Sequence, residues 1–319
     1  MIVVTGAAGF IGSCIIAGLN QQGESDILAV DRLESDDKYK NLIGLSIDDY
    51  VDKDDFIEGI QAGKYDGKIK AIVHMGACSA TTEMDATFLM KNNYEYSQIL
   101  GEFCLRENAR YIYASSAATY GDGNKGYSDE CDLKSLAPLN PYGFSKSQFD
   151  LWAEKRGYLS KMVGLKFFNV YGPNEDHKDD MRSLVNKSFE QINQCGEVKL
   201  FKSHRPDYKD GEQLRDFVYV KDAVKVILFF LKHPDKNGVF NVGTGQARSF
   251  KDLVTAVFKA MGREPNIQYI DMPLSLQPRY QYYTQATMDK IKQIGYTEPF
   301  YSLEEGVTDC VQNHFLKKD

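Results

Sequence analysis

The stretch VVTGAAGFIGS, residues 3–13, follows directly on the N-terminal apolar run and carries Gly6, Gly9 and Gly12 at regular spacing. The first two glycines permit a tight turn and a close backbone approach to a pyrophosphate, and the third lets a helix pack closely on a strand. The N-terminus of that helix adds a partial positive charge. The stretch therefore predicts a strand, a turn and a helix that together bind a dinucleotide.

Short apolar runs and helical stretches alternate around this motif as far as about residue 168. The runs are MIVVTG, DILAVD, KAIVHMGA, ARYIYASS and VGLKFFNV, and the helices are predicted over residues 12–22, 88–108 and 141–155. Continuous apolar runs are typical of parallel strands that helices cover on both faces. The pattern predicts an α/β fold with a doubly wound parallel sheet.

After residue 171 the alternation is less regular. Residues 172–215 are rich in polar loops around a helix predicted over 181–194, and RDFVYVKDAVKVILFFL and GVFNVGTG then return to strand, helix and strand. A further helix is predicted from Ser249, which has Asp252 at the spacing of a capping box. We therefore assign 1–171 and 216–245 to a dinucleotide-binding domain, and 172–215 and 246–319 to a smaller substrate-binding lobe.

Composition narrows the possible partners. The net charge of the 319 residues is −7, which disfavours nucleic-acid binding because that affinity depends on basic residues. MIVVTG lacks the features of a signal peptide, and no apolar run is long enough to cross a bilayer, so we expect a cytoplasmic protein without a membrane partner. The six cysteines show no C-x-x-C spacing, which favours free thiols and no metal site.

The second strand ends at Asp31. Its separation from the glycines along the sequence is that at which a carboxylate binds the adenosine ribose in dinucleotide-binding folds. A carboxylate alone indicates NAD, since it repels a 2′-phosphate. Arg32 follows directly, however, and Lys38 and Lys53 lie beyond it, so a phosphate could be bound there. The sequence favours NADP as the cofactor, with NAD as the alternative.

The segment NPYGFSK places Tyr142 and Lys146 on one face of a helix that Pro141 can open. A nearby cation lowers the pKa of a phenol, so that tyrosine can act as a base closer to neutral pH. Ser116, in YASSAATYG at a strand end, is placed to hydrogen-bond the same substrate oxygen. Hydride transfer needs such a base, because the hydroxyl proton must leave as the hydride leaves carbon.

These glycines with Ser116, Tyr142 and Lys146 resemble the extended short-chain dehydrogenase/reductase superfamily, whose members epimerise, dehydrate or reduce nucleotide sugars. GACSATTE, NNYEYS, FFNVYGP, RDFVYV and RYQYYTQA are similar to the members that act on an ADP-linked heptose, along essentially the whole chain. The resemblance implies a Rossmann fold and an isomerase that inverts carbon six of ADP-D-glycero-D-manno-heptose with NADP. It also implies a role in lipopolysaccharide inner-core synthesis and a homo-oligomer, a pentamer in known members.

The resemblance also implies two sets of binding residues. The cofactor set comprises Gly6, Gly9, Phe10, Ile11, Gly12, Asp31, Arg32, Lys38, Lys53, Met75, Gly76, Ala77, Cys78, Ser79, Asn92, Lys146, Val170 and Lys178. The substrate set comprises Ser79, Ser116, Asn169, Asp180, Lys187, Phe201, Lys202, Ser203, His204, Arg215 and Tyr280.

Inversion by oxidation and reduction requires the ketone intermediate to turn, so that its oxygen meets a second proton donor. The resemblance implies Tyr142 and Lys178 as this catalytic pair, beside Ser116 and Lys146. Acidic neighbours of Lys178 at positions 176, 179 and 180 would have to point away or be neutralised by His177 or Arg182. Relatives usually have glycine and a small polar residue where this chain has Asp179 and Asp180, histidine is common at the position of Lys187, and the loop before Arg215 is longer here.

Two alternatives stay open. The first is another nucleotide-sugar epimerase or reductase of the superfamily; a dehydratase is disfavoured because Ala117 and Ala118 replace its Asp-Glu pair. The second is a non-catalytic NADP-binding protein, which would not require Ser116, Tyr142 and Lys146 together.

Overall fold

The structure is a computed structural model that describes residues 1–34, 37–274, 276–277 and 280–317. Its strands in chain order are β1 (Ile2–Thr5), β2 (Ile27–Asp31), β3 (Asp49–Asp52), β4 (Ala71–His74), β5 (Arg110–Ser116), β6 (Met162–Phe167), β7 (Asn169–Tyr171), β8 (Val198–Phe201), β9 (Leu214–Tyr219), β10 (Gly238–Val242), β11 (Ala247–Ser249) and β12 (Ile267–Ile270). Its α-helices are α1 (Phe10–Gln21), α2 (Lys53–Gln61), α3 (Ala86–Leu89), α4 (Tyr96–Glu107), α5 (Pro141–Lys155), α6 (Leu184–Cys195), α7 (Val220–Lys232), α8 (Phe250–Ala260), α9 (Asp289–Gln293) and α10 (Leu303–Cys310).

Seven strands of the described residues form one sheet in the order β10-β6-β5-β4-β1-β2-β3, and every neighbouring pair is parallel. The predicted α/β fold with a doubly wound parallel sheet is confirmed. The strand order reverses between β1 and β4, where Thr5 lies opposite His74. In open sheets of this kind, ligands bind at the carboxyl ends of the strands beside such a reversal.

Both faces of the central sheet are covered. Val3 and Val4 are neighbours in β1, so their side chains point to opposite faces, yet both are fully buried. Val4 packs in a cluster with residues of α1 and α7, whereas Val3 packs in a second cluster with residues of α2, α4 and α5. This double burial explains why the strand sequences are continuously apolar rather than alternating.

A third apolar cluster lies under two smaller sheets, a three-stranded sheet in the order β11-β9-β7 and a parallel pair of β8 and β12. Helices α6, α8 and α10 supply much of this cluster. Although β9 comes just before α7, it pairs with β7 and β11 rather than with the central sheet, which β10 joins through β6. The two-domain boundaries stay a prediction.

Local sequence signals explain most helix starts. Pro141 opens α5, and the Asn140 side chain accepts the Gly143 N–H at 2.8 Å. Ser249 and Asp252 form the capping box of α8. The helix predicted over 88–108 differs, because a π-helical stretch, Met90–Glu95, separates α3 from α4. The helix predicted from 181 begins at Leu184 after the Ser183 cap.

None of the helices in the described ranges is both long and apolar enough to span a bilayer. The six cysteines have free thiols, and two of them, Cys104 and Cys310, are buried.

Candidate active site

The glycine-rich turn joins β1 to α1 at the carboxyl edge of the sheet. Gly6 has φ +66°, and a Cβ there would lie 2.8 Å from Gly76 Cα. A Cβ on Gly12 would lie 2.0 Å from the Gly6 carbonyl oxygen, which only a glycine avoids. Helix α1 starts at Phe10 with Gly9 as its cap, and glycine has no side chain to cover the first N–H groups. This cradle fits the pyrophosphate of a dinucleotide.

Asp31 closes one side of the turn. Its Oδ2 accepts the Ala8 N–H at 2.8 Å, and its Oδ1 accepts the Arg32 N–H at 2.7 Å. Lys38 Nζ lies 3.3 Å from the same Oδ1. The Arg32 guanidinium lies outside this group, in an exposed ion pair with Glu34. The Lys38 ammonium therefore lies beside a carboxylate that is already hydrogen-bonded.

A buried hydrogen-bond chain holds the end of β4. The Thr5 hydroxyl accepts the Gly76 N–H at 3.1 Å and lies 2.6 Å from His74 Nδ1, while His74 Nε2 lies 2.9 Å from Ser97 Oγ. Burial, with the charge of Lys146, lowers the pKa of His74 to about 3. The imidazole is therefore neutral, so Thr5 donates to Nδ1 and Nε2–H donates to Ser97.

Asn93 connects the loop after β4 to helix α5. Its Oδ1 accepts the Cys78 N–H at 2.9 Å, and its Nδ2 donates to the Cys78 carbonyl at 3.0 Å and to Ser145 Oγ at 3.1 Å. Sequence reasoning named its neighbour Asn92, which instead accepts from Lys53 Nζ at 3.2 Å. The π-helical stretch shifts the helical register here and turns Asn93 inward, which periodicity alone does not reveal.

Ser116 and Tyr142 meet at the end of β5. The Ser116 hydroxyl accepts the Ala118 N–H at 3.1 Å and hydrogen-bonds Tyr142. Burial raises the pKa of Tyr142, and the hydrogen bond from Ser116 opposes this rise. Gly143 permits the close approach, because a Cβ there would lie 2.8 Å from the Ala118 carbonyl oxygen. The structure therefore brings together two of the predicted catalytic residues.

Lys146 lies one helical turn further along α5 and is 4% exposed. Burial lowers the pKa of its ammonium to about 8, while Asp150 and Cys78 oppose that shift. Cys78 also contributes to the raised pKa of Tyr142, so the loop after β4 lies beside both side chains. A lysine with this pKa exchanges protons close to neutral pH.

A buried ion pair lies beneath these catalytic candidates. Lys166 Nζ on β6 lies 2.7 Å from Asp150 Oδ2 on α5 and donates to Thr119 Oγ1 at 2.6 Å. Thr119 donates in turn to the Ser116 carbonyl at 2.7 Å, and Asp150 also accepts from Ser115. Sequence reasoning missed this network, although the single charge in the apolar run VGLKFF is a signal for it, since buried lysines are rare unless paired.

Lys178 lies beside the glycine-rich turn. It belongs to a 3₁₀ helix, Asp176–Met181, and its Nζ lies 5.2 Å from the centroid of the Phe10 ring. The nearest carboxylate is that of Glu175 at 3.5 Å, a residue that sequence reasoning did not consider. The structure thus places Lys178 at the cofactor cradle and pairs it with a buried acid.

The acidic neighbours of Lys178 are engaged in different ways. Asp176 Oδ1 accepts from Asn186 Nδ2 at 3.0 Å. Arg182 Nε donates to the Asp179 carbonyl at 2.9 Å, whereas the ion pair of Arg182 is with Glu190. Lys187 donates to the Asp180 carbonyl. Asp179 has φ +45°, a conformation that favours glycine.

Arg215 lies on the other side of the carboxyl edge and is 8% exposed. Its guanidinium lies 5.3 Å from the centroid of the Tyr280 ring and 5.5 Å from that of Phe250. It donates to the carbonyls of Leu214, at 2.8 Å, and Gln281. Burial lowers the pKa of Arg215, and nearby phenols oppose the shift. A buried guanidinium among rings and carbonyls gains most from an anionic ligand.

The segment around Tyr280 links Arg215 to the catalytic side of the site. Gln281 donates to the Gly121 carbonyl, which follows the short helix after Ser116, and Tyr127 donates to the Tyr283 carbonyl at 2.7 Å. The long loop after Phe201 is fixed by Tyr282, whose hydroxyl accepts the His204 N–H at 2.9 Å. Lys202 points elsewhere, in an exposed pair with Asp271.

The remaining predicted residues lie near these groups. Ile11 and Val170 are partly buried between the first and third apolar clusters, and Asn169 is the exposed first residue of β7. The structure describes every predicted site residue, and their binding roles stay predictions.

A family model, related proteins and solved structures all match this chain to epimerases. The model of the NAD-dependent epimerase/dehydratase family matches residues 2–243. The ADP-L-glycero-D-manno-heptose-6-epimerase of Nitratidesulfovibrio vulgaris is 54% identical over 100% of this chain and 99% of its own length. The crystal structure of the Helicobacter pylori enzyme of that name is 31% identical with a TM-score of 0.82, covering 98% of this chain and 95% of its own. The structure of Thermus thermophilus UDP-glucose 4-epimerase in complex with NAD is 26% identical with a TM-score of 0.80, covering 100% of this chain and 99% of its own.

Proposed function

The chain belongs to the NAD-dependent epimerase/dehydratase family, and from this membership we propose that it inverts carbon six of ADP-D-glycero-D-manno-heptose to give the L-glycero form. The observation that carries this assignment is the 54% identity, over the whole chain, with a relative named for that activity. The protein is accordingly an isomerase. Its product would supply heptose for the lipopolysaccharide inner core.

NADP is the cofactor we propose, with NAD as the alternative. The glycine cradle between Gly6 and Phe10 would hold the pyrophosphate, and Asp31 would border the adenosine ribose. Lys38, 3.3 Å from Asp31, compensates the carboxylate charge that would otherwise repel a 2′-phosphate. Arg32 adds a guanidinium whose ion pair with Glu34 is exposed and therefore weak.

Tyr142 acts on the first orientation of the substrate. Its phenolate takes the proton from the hydroxyl on carbon six and becomes the phenol, and Ser116 donates a hydrogen bond to the same substrate oxygen. Lys146 stabilises the phenolate by its positive charge. The bound cofactor supplies the acceptor for the hydride from carbon six and the donor that returns it.

Lys178 serves as the proton donor when the ketone is in its second orientation. Hydride returns from the same side of the site, so inversion requires the ketone to turn and present its other face. Its oxygen then meets a different proton donor, and we assign that role to Lys178, which lies at the cradle beside Phe10. The substrate would be anchored during this turn by Arg215, whose buried guanidinium suits the diphosphate.

The other substrate contacts remain part of this proposal. Ser79, Asn169, Phe201, Ser203, His204 and Tyr280 would surround the nucleotide sugar. Asp180 and Lys187 contact each other through the Asp180 carbonyl, and Lys202 pairs with Asp271, so these three would have to rearrange to reach a ligand.

A second candidate function is another nucleotide-sugar epimerase, favoured by the fold shared with the Thermus thermophilus UDP-glucose enzyme. A comparison of substrates separates this activity from the epimerisation of ADP-heptose.

We also propose that the protein is a cytoplasmic homo-oligomer, which the resemblance implies is a pentamer.

The experiment incubates purified protein and NADP with ADP-D-glycero-D-manno-heptose and follows the diastereomer ratio by NMR. We expect the L-glycero form to accumulate to an equilibrium ratio, whereas UDP-glucose under the same conditions stays unchanged. An unchanged ADP-heptose spectrum would contradict the assignment, and conversion of UDP-glucose alone would favour the second candidate.

A further inference from the structure

Glu175 is a buried carboxylate in the loop that leads from β7 to Lys178. Its side chain is 0% exposed. Its Oε1 accepts the Gly172 N–H at 3.2 Å, and its Oε2 accepts the Ser183 N–H at 2.8 Å. Burial raises the pKa of Glu175, while Lys178 and the hydrogen bonds from Ser183 and Gly172 oppose this rise. The carboxylate is thus fixed at both oxygens by backbone on either side of the Lys178 helix.

Lys178 is held between this carboxylate and an aromatic ring. Its Nζ lies 3.5 Å from Glu175 Oε2 and 5.2 Å from the Phe10 ring centroid, and its side chain is 24% exposed. A carboxylate and a ring face both attract an ammonium group. The long lysine side chain would otherwise be free to sample many rotamers in solvent.

Other charged groups reach this pair from neighbouring elements. Cys14 of α1 lies near Glu175, but burial raises the pKa of its thiol to about 12, so it adds no charge. The positive charge of Lys221 on α7 partly opposes this rise in the pKa of Cys14. On the loop itself, Asp176 is bound to Asn186, His177 lies 3.4 Å from Asn41, and Arg182 pairs with Glu190 at 2.9 Å. Asp179 and Asp180 follow Lys178 directly.

We propose that Glu175 is the positioning residue for the second proton transfer, holding the Lys178 ammonium against Phe10 at the mouth of the cofactor cradle. This inference rests on the proposed epimerase function. Burying a carboxylate is costly unless it is paired and hydrogen-bonded, so a neutral residue would serve a purely structural role more cheaply. The negative charge holds the Lys178 ammonium in place to reprotonate the ketone oxygen.

Replacing the Glu175 carboxylate with an amide removes the charge that holds the Lys178 ammonium at the cradle. Glu175→Gln should therefore reduce kcat about 10-fold to 100-fold at neutral pH, since a misplacement of about 1 Å in a reacting group can cost about 100-fold. KM and cofactor affinity should change less than about 2-fold, because the Glu175 side chain is fully buried.

The test records kcat and KM at neutral pH for the wild type, Glu175→Gln, Glu175→Asp and Glu190→Gln. Glu190 is the matched control, since it pairs with Arg182 of the same segment and is exposed. We expect kcat to fall in Glu175→Gln, to return towards the wild type in Glu175→Asp and to stay unchanged in Glu190→Gln, with KM nearly constant in all four proteins. A folded Glu175→Gln protein with wild-type kcat would overturn the proposal.

A second readout does not depend on activity. Reductive ¹³C-methylation of the protein gives each lysine an NMR signal, and Lys178→Arg identifies the signal of Lys178. This signal should change position and become narrower in Glu175→Gln, because the Lys178 side chain is no longer held against the Phe10 ring, and it should stay unchanged in Glu190→Gln. An unchanged signal in Glu175→Gln would contradict the inference. A wild type that does not convert ADP-heptose would contradict the proposed function, and this comparison would still test the pair.

Discussion

In our proposal, the first proton transfer depends on Tyr142. Burial raises its pKa, and the hydrogen bond from Ser116 opposes that rise. Tyr142 and Ser116 come together because α5 approaches the short helix after β5 closely at Gly143, and Lys146 lies one turn further along α5. The role of Tyr142 therefore rests on local geometry as well as on the Y-x-x-x-K spacing.

Tyr142→Phe removes the phenol oxygen and keeps the ring. We expect epimerisation to fall at least about 100-fold, the range for loss of a general base, while the cofactor still binds. Turnover and cofactor fluorescence titration measure the two effects. Tyr158→Phe, in the loop after α5, is the control with unchanged turnover, and full activity in Tyr142→Phe would remove it from the catalytic role.

Arg32 is the residue on which the choice between NADP and NAD depends in our proposal. Arg32→Ala should weaken NADP binding about 10-fold or more, since hydrogen bonds to charged groups contribute about 1.5–3 kcal/mol, and should leave NAD binding nearly unchanged. Calorimetric titration with each cofactor measures this difference. Lys40→Ala removes an exposed cation from the same loop as a control, and equal losses for both cofactors would contradict a 2′-phosphate contact.

Some contacts of single residues could be predicted from the sequence, and others could not. Gly6, Asp31, Ser116 and Tyr142 lie in strand, turn and helix starts, so their spacing along the chain already predicts their proximity. Glu175 could not be predicted as the partner of Lys178, because four acids lie within five residues of it and only the loop path decides which one turns inward. Asn93 was missed because the π-helical stretch changes the register of a helix whose existence was predicted correctly.

At the scale of elements, helix α5 is fixed to strands β5 and β6 by the buried network of Asp150, Lys166, Ser115 and Thr119. The Lys166 ammonium and the Asp150 carboxylate are both at most 1% exposed. Because Thr119 also bonds the Ser116 carbonyl, the network holds the strand end that carries Ser116.

Lys166→Met removes the cation and leaves the Asp150 carboxylate buried without it. We expect the free energy of unfolding to fall by about 3–5 kcal/mol, the cost of breaking a buried ion pair. Urea denaturation measures this change. Lys161→Met, an exposed lysine just before β6, should change it by no more than about 0.5 kcal/mol. Equal stability of Lys166→Met and the wild type would contradict the importance of the pair.

The strands and helices that the sequence predicted correctly have long apolar runs or clear capping residues. The strands β1, β2, β4, β5 and β6 are continuous and apolar because helices cover both faces, and α5 has both Asn140 and Pro141 at its start. The edge strand β3, Asp49–Asp52, escaped prediction because its sequence DYVD is half charged. Strands β7, β8, β11 and β12 are three or four residues long, so their pairing depends on tertiary contacts that no local pattern records.

At the scale of the molecule, the site lies at the carboxyl edge of the central sheet. The carboxyl ends of β1, β4 and β5 supply the cradle, the Cys78 loop and Ser116. The chain after β7 supplies Lys178, and β9 itself supplies Arg215. In our proposal, this arrangement places two proton donors on different elements, as an inverting reaction with one cofactor requires.

The central claim is that carbon six is inverted by removal and return of the same hydride. Its most direct test is the reaction with ADP-D-glycero-D-manno-heptose in D₂O, with carbon six of the product examined by NMR and mass spectrometry. Because Tyr142 and Lys178 exchange protons only with oxygen, we predict the L-glycero product with ordinary hydrogen at carbon six. Deuterium at carbon six of the product would contradict the claim, since it would show that a base removes the carbon-bound proton directly.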